Sequence, residues 1–103
     1  FGGTVTGNKG DAVRTIHEGI VQDIQYKKLT NRYTIFLGYN EYLVTYTNLS
    51  SVIVKKGDVV KKDQKIGVIG SGIESTDKPY VRIAIYDCET KKPLQVSSFF
   101  KKL

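Results

Sequence analysis

The sequence predicts an all-β domain, a small antiparallel sheet arranged as a sandwich or a barrel-like fold. Helical periodicity is not sustained anywhere, whereas short runs of β-branched and aromatic residues recur between turn residues. The clearest hairpin joins Tyr33–Leu37 to Tyr42–Tyr46, and Gly38 and Asn40 can supply the unusual backbone angles of its turn. Short strands joined by turns are typical of such β folds.

The chain of 103 residues fits one domain, 1–103, without an internal linker or a low-complexity stretch. Because it begins at Phe1 without a methionine, we expect a fragment of a longer chain. No apolar run approaches the roughly 18 residues of a membrane span, so membrane attachment is expected only through segments outside this chain. Further strands are predicted at Val13–Ile16, Gly19–Tyr26, Lys65–Ile69, Tyr80–Tyr86 and Leu94–Ser97.

The net charge of +6 comes with clustered lysines, notably between Lys55 and Lys65 and again near the end of the chain. Such charge attracts nucleic acid, anionic lipid or an acidic wall polymer, or it forms a solvated face that keeps sheet edges unpaired. No nucleic-acid-binding motif accompanies the lysines, so we expect no nucleic-acid partner.

Cysteine and histidine are each present once, as Cys88 and His17. A disulfide within the chain is therefore impossible, and a His- or Cys-rich metal site cannot be built. A Ser/His/Asp arrangement could form only around His17, which we expect to be an exposed strand residue beside Glu18. The composition predicts a domain without a catalytic centre, metal or cofactor, which acts by binding or regulating.

The most specific segment is Leu49–Gly70. Within it, Val54–Val60 predicts a strand, a turn at Gly57 and a second strand, and Lys62–Gly67 repeats this pattern. Biotinyl and lipoyl carrier domains contain a similar glycine-bounded stretch. A carrier presents a modifiable lysine in a tight hairpin, however, and the chain has neither such a lysine nor any methionine.

A second resemblance covers nearly the whole chain, and we prefer it. Four segments in the same order resemble the lysostaphin-type (LytM) zinc endopeptidase domain, whose members cleave peptidoglycan cross-bridges. The segments are Gly10–Val13 with Glu18–Val21 (the opening strands), Tyr46–Ser50 (Tyr-x-His-Leu-Ser in the family), Val54–Gly70 (with Asp63 replacing the usual second glycine) and Lys78–Ile85 (Pro-His-Leu-His-Phe-Glu-Ile in the family). The tail Leu94–Phe100 is similar to the end of the family domain.

The resemblance implies the LytM (duplicated hybrid motif) fold but not the family chemistry. Active members hold zinc through a His-x-x-x-Asp motif and the second His of a His-x-His motif. The Asp position falls on Thr4, the two His-x-His positions fall on Tyr80 and Arg82, and the remaining groove His is Asn48; the first His would precede Phe1. A guanidinium has no lone pair to give a metal, so the resemblance implies loss of catalysis.

The function that follows is a non-catalytic LytM-like domain that binds and regulates a cell-wall hydrolase, such as an amidase that it activates. The expected contact residues are Thr4, Asn48, Tyr80 and Arg82, with Tyr46 flanking them. One alternative is a structural module that assembles with itself or a sister domain in an envelope complex. Others are peptidoglycan binding without hydrolysis, and residual hydrolysis. The family implies an extracytoplasmic location, in the periplasm or cell envelope of a bacterium.

Overall fold

The computed structural model describes residues 3–72 and 78–96, and all the strands found there pair antiparallel, which confirms the all-β prediction. No helix in this part of the chain is long and apolar enough to cross a lipid bilayer. The strands are β1 (Gly3–Thr6), β2 (Ala12–Arg14), β3 (Gly19–Lys27), β4 (Arg32–Tyr39), β5 (Tyr42–Val52), β6 (Val59–Val60), β7 (Lys65–Ile69), β8 (Tyr80–Asp87) and β9 (Lys92–Leu94).

The main sheet has the strand order β1-β8-β5-β4-β3-β6, and β9 extends the β8 edge beyond β1. The long strand β5 changes partner along its length: Tyr42–Thr47 pairs with β8, and Leu49–Val52 pairs with β7. Strand β7 in turn carries β2, which forms a short second arm over one face of the main sheet. The described strands therefore form an open, bent sheet rather than a closed barrel.

The core lies between the main sheet and the arm made by β2 and β7. Strand β8 shows the pattern clearly, because Val81, Ile83 and Ile85 are buried while the residues between them are not. Alternation of this kind is expected of a strand with one buried face. The other core side chains come from β2 to β7 and include Val13, Val21, Ile35, Leu37, Val44, Leu49, Val60, Ile66 and Ile69.

The β4–β5 hairpin confirms the predicted strands and corrects the role of one turn residue. Tyr39 pairs with Tyr42, so the turn contains only Asn40 and Glu41, and Asn40 has a φ of 53°. Gly38 does not supply a turn angle; it lies within β4. A side chain there would meet the Nε2 atom of Gln22 at 2.8 Å, so its small size leaves room for that amide.

The two turns predicted between Val54 and Gly70 are present, and both are closed by a side chain three residues further along. The backbone N–H of Lys55 donates to the Asp58 carboxylate at 2.8 Å, and that of Lys61 donates to the Gln64 amide oxygen at 2.9 Å. The strand predicted to begin at Val54 is wrong, since only Val59–Val60 forms a strand before Lys65–Ile69.

Three other predictions also change. His17 is not an exposed strand residue: it is buried in a bend before β3, with its ring 4.9 Å from that of Tyr39. Its burial lowers the pKa of the imidazole. The strand predicted at Val13–Ile16 is Ala12–Arg14, and the one predicted at Leu94–Ser97 is Lys92–Leu94. The rest of the predicted tail, Ser97–Phe100, lies outside the described residues.

Asp63 replaces the glycine of the family pattern and has a φ of 65°, in the left-handed region. Alanine is strained there by about 1 kcal/mol, whereas glycine and asparagine adopt the conformation readily. We therefore expect Asp63→Ala to lower the free energy of unfolding by about 1 kcal/mol relative to Asp63→Gly. Asp63→Asn should leave it nearly unchanged. Urea unfolding of the three variants measures this, and equal stability of the Ala and Gly variants would contradict it.

Candidate functional site

The face of the main sheet that turns away from the core carries the candidate site, and we call it the open face. On β8 it carries Tyr80, Arg82, Ala84 and Tyr86, which alternate with the buried core residues. Because residues directly opposite one another in antiparallel strands project to the same side, the strand register identifies their neighbours on this face.

A row of polar residues crosses the open face and includes two of the predicted site residues. Arg82 pairs with Thr4 on one side and with Thr47 on the other. The row continues through Thr34 to Gln25. We call these five residues the polar row. The register therefore brings Thr4 and Arg82 together, as the resemblance requires for two positions that bind one metal.

A second row, nearer the β4–β5 turn, is apolar, and we call it the apolar row. Strand register aligns its members, and three of them are well exposed: Val59 at 74%, Ile20 at 47% and Tyr86 at 41%. The complete row is Val59, Ile20, Gly38, Leu43, Tyr86 and Pro93. The open face thus presents parallel polar and apolar bands.

Asn48 is at the predicted place but has a structural role. It is buried, has a φ of 75°, and occupies the irregular point of β5 where Leu49 pairs with Tyr33 and Thr47 with Thr34. Its Nδ2 atom donates to the carbonyl oxygens of Tyr80 at 2.9 Å, Ser71 at 3.2 Å and Gly70 at 3.3 Å. The side chain is therefore bound within the fold.

Beside Asn48 lies a cavity of about 660 Å³, between the β3–β4 hairpin, the middle of β5 and the start of β8. Tyr80 and Asn48 line it, together with Lys27, Arg32 and Thr47. Thr4 and Arg82 lie outside its wall, further along the polar row. Among the described lining residues, two are cations and none is a carboxylate.

Tyr46 does not flank the groove, and this part of the prediction is wrong for direct contact. Its side chain is fully buried in the core, and its hydroxyl oxygen accepts a hydrogen bond from the Ile16 backbone N–H at 3.2 Å. Burial raises the pKa of the phenol to about 12, against a smaller lowering by that hydrogen bond. The residue that faces outward on β5 is its neighbour Thr47.

The donor set at the positions that hold zinc in the resembled family does not fit a zinc ion. The Arg82 guanidinium is exposed and has no lone pair to donate. At the remaining groove position, which is not a zinc ligand in the family, the Asn48 amide nitrogen is committed to three carbonyl oxygens. Thr4 offers a neutral hydroxyl in place of a carboxylate. Within residues 3–72 and 78–96, no group of three or more His, Cys, Asp or Glu side chains could hold a metal ion.

The sequence alone did not identify Lys27, Arg32 and Thr47 as site residues. Lys27 is the last residue of β3 and Arg32 is the first of β4, so the two pair beside the turn of this hairpin. Only the folded structure shows that the hairpin borders the cavity. The feature of the sequence that could have pointed to them is the density of basic residues between positions 27 and 32. Such a density does not by itself indicate a binding site.

Comparisons with known proteins agree with this geometry. The model of Peptidase family M23 matches residues 2–95, so the chain belongs to that family. Over 62 residues it is 32% identical to the peptidoglycan DD-endopeptidase ShyA of Vibrio cholerae; these are 60% of this chain and 14% of that protein. The chain thus spans only a small part of that relative.

Solved structures share the fold. The antimicrobial peptidase lysostaphin from Staphylococcus simulans superposes with a TM-score of 0.81 at 27% identity, covering 98% of this chain and 42% of that one. A chain from the crystal structure of the SpoIIIAH and SpoIIQ complex gives a TM-score of 0.74 at 22% identity, with coverages of 88% and 63%. At that identity, the second likeness concerns the fold alone.

The buried phenol of Tyr46 makes stability depend on pH. Below pH 10 it is neutral in both states; between pH 10 and 12 only the unfolded state ionises, so stability falls by up to about 3 kcal/mol. Tyr46→Phe removes this dependence and, by stranding the Ile16 N–H, costs about 1–2 kcal/mol at neutral pH. Urea unfolding at pH 8 and pH 11 should show the gap between the two proteins shrinking. The exposed Tyr86→Phe is the control, and a gap that stays constant would contradict this account.

Proposed function

We propose that this domain is a non-catalytic member of family M23 that binds and regulates a cell-wall hydrolase, such as an amidase, through its open face. The observation that carries the proposal is Arg82. This residue is exposed, lies directly opposite Thr4, and occupies a position where the resembled family has a zinc ligand. A fixed positive charge there opposes a dication and favours an anionic or hydrogen-bonding partner.

The chemistry of the open face supports a protein partner. Arg82 and Tyr80 lie two residues apart on one strand face, and Tyr86 follows on the same face. Arginine and tyrosine are enriched among the residues that dominate binding energy at protein interfaces. The exposed members of the apolar row add the apolar surface that the centre of an interface requires.

The choice of a cell-wall hydrolase as partner rests on kinship. One relative of this chain is named as a peptidoglycan endopeptidase, and a structural neighbour is an antimicrobial peptidase. A member without the metal donor set retains a fold suited to the same surroundings, and regulation of an active hydrolase is one use for it. The same kinship supports an extracytoplasmic location.

A second candidate function, assembly into an envelope complex, is favoured by the apolar row. Val59, Ile20 and Tyr86 expose apolar surface on one face, and such surface on a soluble domain commonly marks an interface between proteins. Analytical ultracentrifugation separates the two functions: a concentration-dependent dimer supports assembly, and a strict monomer supports the regulatory proposal. Co-sedimentation with purified sacculi would instead support peptidoglycan binding without hydrolysis.

Replacing Arg82 or Tyr80 tests the regulatory proposal. We expect Arg82→Ala and Tyr80→Ala each to weaken binding to a candidate amidase by about tenfold and to lower its activation accordingly. Arg14→Ala is the matched control, because Arg14 is also exposed but lies on β2, away from the open face. Binding is measured by calorimetry and activation by release of dye from labelled sacculi. Unchanged binding and activation in both open-face variants would overturn the assignment.

Loss of catalysis has its own test. We expect the 103-residue chain to give no clearing in a peptidoglycan zymogram with added zinc. Thr4 lacks the carboxylate of an aspartate ligand, and Arg82 lacks the lone pair of a histidine ligand. Thermal unfolding should show the same midpoint with zinc and with a chelator. A midpoint that rises with zinc, together with clearing in the gel, would show that the chain retains a working metal site.

A further inference from the structure

The cavity beside Asn48 has an unusual charge environment. Its described lining includes Lys27 and Arg32 and contains no carboxylate. The neutral polar groups of Thr34, Thr47 and Tyr80 complete the side nearest the open face. In the resembled family this region borders a site that binds a cation, whereas the charged groups among the described lining residues here are cationic. Within that part of the lining, the electrostatic preference is for an anion.

Arg32 is held in place by its own hairpin rather than by an acid. Its Nη1 atom donates to the carbonyl oxygens of Asn31 at 3.0 Å and Thr30 at 3.3 Å. The guanidinium packs against the backbone of Gly70, where a Cβ would lie 2.7 Å from Nε. Glycine at this position therefore gives the guanidinium its room.

The guanidinium of Arg32 retains one nitrogen for a ligand. Its Nε atom is buried and has no hydrogen-bond partner among the described residues, so a ligand does not reach it. Nη1 is occupied by the hairpin carbonyls. Nη2 therefore remains for an incoming ligand, and a carboxylate oxygen accepts a charge-assisted hydrogen bond from such a group.

The hairpin also offers apolar surface next to this charge. Leu29, at its tip, is 96% exposed, and Tyr26 is half exposed; both line the cavity. A ligand that places a carboxylate at Arg32 and an apolar side chain against Leu29 would use both features. An acidic peptide segment with neighbouring apolar residues has this chemistry, and a cavity of about 660 Å³ has room for such side chains.

We propose that this cavity binds a carboxylate of an acidic segment in the partner protein, with Arg32 as the principal contact and Lys27 as a second cation. The inference rests on the proposed function, because it describes what part of the regulated partner enters the open face. Arg82 then contacts a neighbouring part of the same partner. Attachment through cations makes binding weaken as the salt concentration rises.

The first test uses two blocked peptides that differ only in charge, acetyl-Leu-Glu-Ala-Glu-Leu-amide and acetyl-Leu-Gln-Ala-Gln-Leu-amide. Each is titrated into the 15N-labelled 103-residue chain and followed by NMR, which observes the Nε–Hε pair of Arg32 directly. We expect the glutamate peptide to bind at least about fivefold more tightly and to shift the Arg32 signal. Equal affinity for the two peptides would overturn the proposal.

Charge-matched variants then locate the site. Lys27→Gln and Lys28→Gln remove the same charge from adjacent exposed positions, but only Lys27 lines the cavity. We expect Lys27→Gln to lower the affinity for the glutamate peptide about threefold and Arg32→Gln to lower it about tenfold. The Lys28→Gln and Arg14→Gln variants should bind this peptide with nearly the affinity of the unmodified chain. If the Arg32→Gln variant does not fold, the comparison of Lys27→Gln with Lys28→Gln still shows whether the peptide binds in the cavity. Equal losses at Lys27 and Lys28 would mean general charge attraction and would overturn the site.

Two further outcomes separate this inference from the proposed function. If Arg82→Ala abolishes binding to an amidase while Arg32→Gln and Lys27→Gln bind it normally, the regulatory function stands and the carboxylate site fails. If purified sacculi displace the glutamate peptide from the chain, the carboxylates come from wall peptides, and the assignment to a protein partner is overturned.

Discussion

Strand β5 changes partner at Asn48, and most of the domain is arranged around that change. Before Asn48, β5 pairs with β8 in the main sheet; after it, β5 pairs with β7. The left-handed backbone of Asn48 makes the bend, and its amide binds carbonyls of Gly70, Ser71 and Tyr80 on the far side. This link adds to the pairing of β5 with β7, which holds the arm formed by β2 and β7 over the core.

The same bend produces the open face and the cavity. Because Asn48 fixes the end of β8, Tyr80 lies at the cavity wall, and Arg82 follows two residues later on the same face. The core beneath is closed by Tyr46, whose hydroxyl reaches across to the backbone of Ile16. One short stretch of β5 thus supplies a core residue, an outward threonine and the bend itself.

Much of the fold could be predicted because it follows from local patterns. The bounds of β7 agree with the prediction, and Asp63 has the left-handed backbone that a glycine position requires. The predictions were wrong where tertiary contacts, rather than the local sequence, determine the environment of a residue. Gly38 makes room for Gln22 rather than forming the turn, and His17 is buried because its ring packs near Tyr39. The outward role of Thr47 and the cavity wall at Arg32 depend on strand register, which no single segment reveals.

The hydrogen bonds of Asn48 also bear on how such a domain can change over evolutionary time. Its amide nitrogen carries two hydrogens, which three carbonyl oxygens share at 2.9–3.3 Å. A histidine there, as in the motif it resembles, would have to leave some of these oxygens without a donor while Arg82 still repelled a metal. A histidine at position 48 should therefore lower the stability of the domain. The residue that lines the groove also holds the framework together, so both roles constrain which side chain can stand there.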